Sequence, residues 1–155
     1  MQLAQLFSEP RISPKLSGVT KEDILLEMAT LIASDLSLAT PQRVFDILTE
    51  REQLGTTGIG HGIAIPHGKM NGLTEPIAAL GCSENGVDFK SPDGKNAYII
   101  IALLSPQEDS KAHLQALASI ARQLHRPGIR KELLNMEAPS TEALLKIITS
   151  SADSH

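Results

Sequence analysis

Residues 97–104 have the sequence AYIIIALL, the longest uninterrupted apolar run of the chain. Eight residues are far fewer than the roughly 20 that a helix needs to cross a bilayer, so no membrane insertion is expected. A short apolar run that is rich in isoleucine and bounded by polar and turn-forming residues is typical of a strand buried on both faces of a sheet. We therefore predict that this run is a central strand.

A second apolar run, PIAALGC at 76–82, is predicted to be a neighbouring buried strand. Two turn signals lie between the runs, Asn85-Gly86 and Pro92-Asp93-Gly94. The segment Val87–Phe89 between these turns is predicted to form a short strand of its own. The middle of the chain is thus expected to supply several strands of one sheet.

Amphipathic helices are predicted on both sides of these strands. Thr20, followed three positions later by Asp23, is typical of a helix N-cap, and so is Thr40 before Pro41. Apolar residues then recur every three or four positions, which is the helical period. The predicted helices cover about 21–35, 41–52, 111–125, 129–136 and 141–149.

The helix at 111–125 can be capped by Asp109 or Ser110. Its expected apolar face consists of His113, Leu117, Ile120, Ala121 and Leu124. No repeat and no Pro- or Ser-rich linker divides the chain. We predict one α/β domain over 1–155, with a mixed parallel and antiparallel sheet flanked by helices, an ordered core at about 5–150 and a frayed tail at 151–155.

The composition excludes several classes of protein. The chain has 155 residues, of which 41% are hydrophobic, and 14 Lys plus Arg against 18 Asp plus Glu give a net charge of −4. Without a basic run the chain lacks the electrostatic footprint of nucleic-acid binding. The one cysteine, Cys82, allows no intrachain disulfide, and the N-terminus has no signal-peptide pattern, so a cytoplasmic location is expected.

Several known motifs are incomplete in this sequence. Gly58, Gly60 and Gly62 do not complete a G-x-G-x-x-G fingerprint, and Met70 stands where a P-loop needs Ser or Thr. The five histidines have no metal-ligand spacing, so neither a metal nor another cofactor is predicted. Cys82 lies in an apolar strand, where a thiol is expected to be a small core residue and not a nucleophile.

One candidate for chemistry remains, His67 in the segment IAIPHGK at 63–69. It follows a short apolar strand and a proline and precedes Gly68, which is expected to turn sharply, so the imidazole should lie at a strand end. Gly68 leaves the local backbone open to an anion, and Lys69 and Arg51 supply positive charge. With a pKa of about 6.5 an imidazole is mostly deprotonated and nucleophilic at neutral pH. His67 is therefore either a phosphoryl acceptor or a hydrogen-bonded turn residue.

The segment REQLGTTGIGHGIAIPHGK at 51–69 resembles the active-site signature of a known family. This family comprises the enzyme IIA domains of the phosphoenolpyruvate-dependent phosphotransferase system, of the mannitol and fructose type. Like features follow at Asp88-Phe89, at Asp93-Gly94, over 99–106 and at Ala112–Leu114, so the resemblance extends over nearly the whole chain. A lone domain most resembles the nitrogen-regulatory branch.

The resemblance implies the mannitol/fructose-type enzyme IIA fold and a phosphoryl relay. His67 would accept a phosphoryl group on Nε2 from a histidine phosphocarrier protein, which is itself charged by enzyme I with phosphoenolpyruvate. His113 would donate a hydrogen bond to the phosphoryl oxygens, and Arg51 would supply charge. Judged by residue type alone, His113 is also typical of a core-facing histidine, and Arg51 of a solvated charge at a helix end.

The remaining positions of the signature are given lesser roles. Thr57, Gly58, Gly60 and Gly68 are expected to shape the backbone around the site. At His61 the sequence departs from the family, which tends to have Asn or another polar or charged residue there. We expect His61 to belong to the rim that contacts the carrier, without a catalytic role.

The implied output is regulation by phosphorylation state, because a phosphoryl group adds roughly −1.5 to −2 charge to a small surface. In the nitrogen-regulatory branch the partners include potassium-transport components and sensor kinases. Two alternatives stay open. In the first, the chain would be a sugar-specific enzyme IIA that passes phosphate to a separate IIB component. In the second, it would be a binding module that is not phosphorylated and has kept only the fold.

Overall fold

A computed structural model describes residues 2–151, so residues 152–155 of the predicted tail lie outside the described residues. Within 2–151 two short 3-10 helices, Leu3–Gln5 and Glu9–Arg11, precede the regular elements. The helices are α1 (Lys21–Ser34), α2 (Pro41–Gln53), α3 (Ser110–His125), α4 (Pro127–Leu134) and α5 (Thr141–Ile148). The strands are β1 (Ile12–Ser13), β2 (Gly58–Gly60), β3 (Ile63–Ala64), β4 (His67–Met70), β5 (Ile77–Val87) and β6 (Ala97–Pro106).

Strand β6 contains the 97–104 run and lies at the centre of the sheet. It pairs antiparallel with β5 and parallel with both β3 and β4. The order is β1-β5-β6-β3-β2, with β1 parallel to β5 and β2 antiparallel to β3. The predicted mixed sheet with this run as a central strand is confirmed.

The sheet is covered on both faces, which explains why β6 is apolar from Ile99 to Leu104. On one face Ile100, Ala102 and Leu104 pack against α1 and α2 in one buried cluster. On the other face the alternate residues of β6 pack with buried residues of α3, α4 and α5 in a second cluster; they are Ile99, Ile101 and Leu103. Side chains of a strand alternate between faces, so a strand with helices on both sides has no polar face. Among the residues that the structure describes, no helix is both long enough and apolar enough to cross a membrane.

The helix predictions are confirmed to within two residues at each end. The side chain of Thr20 accepts a hydrogen bond from Asp23 N–H, and that of Thr40 accepts one from Arg43 N–H. For α3 the cap is Asp109, whose carboxylate accepts from Ala112 N–H at 3.0 Å. Helices with such caps are recognisable in sequence because the cap satisfies an N–H group that the helix itself leaves unpaired.

The predicted turn at Asn85-Gly86 and the separate strand at 87–89 are wrong. Strand β5 runs through both residues, and its register with β6 shifts between Cys82 and Val87. Gly86 has a φ of +79°, so the irregularity is a bulge inside one long strand instead of a turn between two. The second predicted turn, at Pro92–Gly94, is confirmed by a 2.9 Å bond from Gly94 N–H to the Ser91 carbonyl oxygen.

The predicted apolar face of α3 is partly wrong. His113, Ile120 and Leu124 are buried as expected, but Ala121 is exposed. The buried face is centred on Ala116 and Ile120, both of which are fully buried. Helical period alone leaves the rotation of a helix uncertain wherever alanines lie on two of its faces.

Candidate functional site

The structure brings His67 and His113 together, although they are far apart in the sequence. His67 is the first residue of β4, and His113 lies four residues after the cap of α3. Their ring centroids are 5.6 Å apart, with a 43° angle between the ring planes. His67 is half-buried and His113 is buried. The two imidazoles therefore line one small site at the end of the sheet.

The orientation of the His67 ring is determined by its neighbour Ile65. Nδ1 of His67 lies 2.7 Å from the Ile65 carbonyl oxygen, which can only accept, so Nδ1 carries the proton. Burial lowers the pKa of His67 below its usual 6.5; Arg51 acts in the same direction, against the Ile65 carbonyl and Glu52. At neutral pH the ring is therefore uncharged, and its Nε2 has a free lone pair.

The sharp turn predicted at Gly68 is wrong, and so is the prediction of only one short strand between Thr56 and Lys69. Three short strands are present, and Gly68 lies inside the third, opposite Leu104 of β6. A Cβ at Gly68 would come within 2.4 Å of Ile47 Cγ2. Glycine thus lets α2 lie directly against β4, next to His67. The requirement is for space between two elements, which the local sequence does not display.

His113 is held by a buried hydroxyl group. Its Nδ1 lies 2.7 Å from Oγ of Ser105, a fully buried residue of β6. Burial lowers the pKa of His113 to about 4, and positive charge on His67 and on Lys69 acts in the same direction. His113 is therefore neutral over the whole physiological range. The sequence pointed to His113 but gave no indication of the contact with Ser105.

Two cations flank the histidine pair. Arg51, in the last turn of α2, donates to the Gly55 carbonyl oxygen at 3.0 Å, and its charge acts on the pKa of His67. Lys69 of β4 reaches the start of α3, where Nζ is 3.1 Å from Ser110 Oγ. The positive end of a helix and two cations make this site favourable for an anion.

A buried carboxylate that sequence reasoning missed supports the segment leading to His67. Glu52 accepts from the backbone N–H of Thr57 at 3.0 Å and from its hydroxyl at 2.5 Å. Lys21 of α1 pairs with the same carboxylate at 2.8 Å. Thr57 is thus fixed by α2, and α2 is joined to α1. Nothing in the spacing of the signature distinguishes this glutamate from a solvated one.

The other signature glycines lie where side chains would not fit or would be strained. A Cβ at Gly58 would be 2.3 Å from Ser91 Oγ, and Gly60 has a φ of +86°. His61 also adopts a positive φ of 57°, in the turn between β2 and β3. Its backbone N–H donates to Asp93 Oδ2 at 3.0 Å, which stabilises that turn.

His61 is not part of the histidine pair. Its neighbour Gly62 accepts from Ile99 N–H, whereas His67 lies opposite Leu103. That separation along β6 is roughly 13 Å, at about 3.3 Å per residue. His61 is exposed, and its place on a carrier-binding rim stays a prediction.

Cys82 is buried in β5, and burial raises the pKa of its thiol to about 11. It is therefore not a thiolate at neutral pH, and its predicted place in the core is confirmed. Over residues 2–151 no group of three or more His, Cys, Asp or Glu side chains could hold a metal ion.

Comparison with known proteins identifies the family of this chain. Residues 5–151 match the family model described as "Phosphoenolpyruvate-dependent sugar phosphotransferase system, EIIA 2". The chain belongs to this family. The resemblance drawn from residues 51–69 is confirmed, and the family is enzyme IIA of the mannitol and fructose type.

Relatives of this enzyme IIA include both regulatory and sugar-specific proteins. A nitrogen regulatory protein of Pseudomonas aeruginosa is 36% identical over 148 residues, which are 96% of this chain and 95% of the relative. The fructose-specific EIIABC component of Bacillus subtilis is 34% identical over 148 residues, which are 96% of this chain but 23% of that larger protein.

Solved structures agree on the fold. Nitrogen regulatory protein IIA-Ntr from Neisseria meningitidis matches with a TM-score of 0.86 and 31% identity, over 95% of this chain and 99% of that one. IIA mannitol from Escherichia coli matches with a TM-score of 0.75 and 19% identity, over 92% of this chain and 98% of that one. The predicted mannitol/fructose-type fold and the likeness to the nitrogen-regulatory branch are both confirmed.

Proposed function

We propose that this enzyme IIA accepts a phosphoryl group on Nε2 of His67 from a histidine phosphocarrier protein and regulates partner proteins according to its phosphorylation state. The observation that carries the proposal is the 2.7 Å contact from His67 Nδ1 to the Ile65 carbonyl oxygen. It leaves Nε2 of a neutral ring as the nucleophile. The centroid of this ring lies 5.6 Å from the centroid of the His113 imidazole. The protein would act as a phosphotransferase component with a phosphohistidine intermediate.

The transfer step balances without an external base. The Nε2 lone pair of His67 attacks phosphorus, and a P–N bond forms. The P–N bond of the carrier's phosphohistidine breaks, and its electron pair returns to the carrier's imidazole. His67 keeps its Nδ1 proton throughout, donated to Ile65, so no proton has to leave the ring. The carbonyl then stabilises the positive charge that the phosphorylated ring acquires.

The surrounding residues supply positioning and charge. Phosphoryl transfer depends chiefly on alignment and on stabilisation of the equatorial oxygens. Arg51 acts electrostatically on His67 and Lys69 acts on His113, so both bring positive charge to the pair, and His113 offers its ring N–H from the start of α3. Each of these groups would contact an oxygen and not phosphorus itself.

Phosphorylation would neutralise most or all of the positive charge of the site. About −1.5 to −2 charge would be added beside two cations, which is enough to create or remove a docking surface. Since nitrogen regulatory proteins are among the relatives, we propose partners of that branch, such as potassium-transport components or sensor kinases. One of the two states would bind the partner and the other would not.

The test is intact-mass spectrometry after incubation with phosphoenolpyruvate, enzyme I and the phosphocarrier, repeated after brief acid treatment. We expect one acid-labile phosphoryl adduct on the wild type and none on His67→Ala. His125→Ala is the matched control, because His125 is an exposed histidine at the far end of α3. An adduct that survives in His67→Ala, or no adduct on the wild type with a competent carrier, would refute the proposal.

A sugar-specific role is the second candidate, favoured by the 34% identity with the fructose-specific component of Bacillus subtilis. In that case the phosphorylated protein would pass its phosphoryl group to a purified IIB component of the fructose or mannitol type. Loss of the adduct on addition of IIB would support this candidate. A stable adduct would favour the regulatory role.

A further inference from the structure

The hydroxyl group of Ser105 is fully buried between β6 and α3. Its Oγ lies 2.7 Å from Nδ1 of His113, and the residue has 0% exposure. Odd-numbered residues of β6, such as Ile101 and Leu103, face the cluster that α3 covers. Ser105 continues this row, so the alternation of the strand directs its hydroxyl at α3 and at the ring of His113.

Two arrangements of hydrogen are compatible with this contact. Either the Ser105 hydroxyl donates to Nδ1, or Nδ1–H donates to Oγ. In the second case the hydroxyl proton would need another acceptor, and His113 is the one side-chain partner that the structure shows for Oγ among residues 2–151. A buried O–H without an acceptor bears the full cost of its desolvation. The first arrangement satisfies both groups.

We propose that Ser105 is a positioning residue that donates its hydroxyl proton to Nδ1 of His113 and thereby keeps the ring proton of His113 on Nε2. This inference rests on the proposed function and deepens it. A neutral imidazole carries one N–H. The hydrogen bond made by the nitrogen that faces away from the site determines whether the nitrogen that faces the site carries the proton. Ser105 thus makes His113 a donor toward the phosphoryl group.

The two rings would then have opposite tautomers. His67, bonded to a carbonyl, presents a bare Nε2 that can form the bond to phosphorus. His113, bonded to a hydroxyl, presents Nε2–H to a phosphoryl oxygen. With Nδ1–H instead, His113 would point a lone pair at an anion, which would repel it. Because His113 stays neutral at physiological pH, its tautomer alone decides between these two outcomes.

The first arm of the test measures the tautomer directly in the unphosphorylated protein. Long-range ¹H–¹⁵N correlation NMR of the ¹⁵N-labelled protein at pH 7.5 distinguishes a protonated ring nitrogen from an unprotonated one. We expect His113 of the wild type to be protonated on Nε2 and unprotonated on Nδ1. A wild-type spectrum with the proton on Nδ1 would overturn the inference, and this arm needs no variant and no phosphoryl donor.

The second arm measures phosphorylation of His67 with phosphoramidate, a small donor that requires no carrier protein. Ser105→Ala should mix the tautomers of His113 and slow adduct formation roughly 10-fold, the usual effect of losing a group that orients a functional side chain. Ser105→Thr keeps the hydroxyl and should restore both the tautomer and the rate. Ser83→Ala is the matched control, since Ser83 is another buried serine, on β5, whose hydroxyl accepts only from Gly86 N–H in the described part of the chain.

The possible outcomes separate the two proposals. If His113 has the expected tautomer and Ser105→Ala leaves the phosphoramidate rate unchanged, Ser105 does not position a functional group and the inference fails. If phosphoramidate modifies His67 but the carrier does not, the proposed relay fails while the role of Ser105 is still measured. If Ser105→Ala does not fold, the wild-type spectrum and Ser105→Thr decide.

Discussion

The imidazole of His113 is buried, and its burial makes the free energy of unfolding depend on pH. Burial lowers its pKa from 6.5 to about 4, and His67 shifts in the same direction. Between pH 6.5 and pH 4 the unfolded chain therefore binds more protons than the native one. By linkage the free energy of unfolding is unaffected by these groups above pH 6.5 and falls as the pH drops through that range.

The prediction at the residue scale is a change in acid sensitivity. His113→Gln removes the group with the larger shift, so the free energy of unfolding should decline less between pH 7 and pH 4.5 than in the wild type. Urea denaturation at the two pH values measures this difference. His125→Gln, at an exposed position, should decline as the wild type does. Equal declines for His113→Gln and the wild type would contradict the assignment.

At the scale of elements, the contact between β4 and α2 determines where His67 lies. Gly68 lies against Ile47, and there is no room for a methyl group between them. The φ of Gly68 is not positive, so backbone strain is not the reason for glycine here. The limit is the distance between a helix and a strand, and a larger residue would push the two apart at the site.

Gly68→Ala should therefore destabilise the protein by about 1–3 kcal/mol, the typical cost of overpacking. It should also slow phosphorylation of His67. Adding Ile47→Ala opens the space and should recover part of both losses, because residues in contact are energetically coupled. Urea denaturation of the single and double variants, with the phosphoramidate assay, tests this. Additive losses in the double variant would show that the contact is not the cause.

The elements also differ in how well sequence predicts them. Helices α1 and α2 have both a cap and a long apolar period, and their bounds followed from these signals. The N-terminal segment had neither and was not predicted. There Arg11 is buried and donates to the Leu6 and Ala78 carbonyl oxygens and pairs with Asp35. Such a segment is ordered by distant partners, and a two-residue strand is too short to show a period.

At the scale of the whole molecule, the buried carboxylate of Glu52 joins α1, α2 and the start of the signature. Glu52 pairs with Lys21 and accepts two hydrogen bonds from Thr57, one from its backbone N–H and one from its hydroxyl group. A buried acceptor shared by three segments is satisfied only when all three are docked. The segment Thr57–Gly60 should therefore unfold together with α1 and α2 and not before them.

Glu52→Ala leaves Thr57 and Lys21 without their acceptor and should cost about 3 kcal/mol in the free energy of unfolding. Glu50→Ala, an exposed position on the same helix, should change it by less than about 0.5 kcal/mol. Urea denaturation gives both values, and hydrogen exchange at Thr57–Gly60 reports the opening of that segment. Faster exchange there in the wild type than in α2 would contradict coupled unfolding.

The amino-acid sequence by itself determined the central strand, its apolar neighbour at 76–82, the capped helices and the signature around His67. These follow from local properties, namely apolar period, cap chemistry and motif. Only the tertiary structure decided which rings meet, which nitrogen of His67 is free, that Ser105 holds His113, and that Glu52 is buried. The physical reason is that tautomers, burial and close packing depend on partners supplied by other elements, and a sequence lists those partners without stating which of them touch.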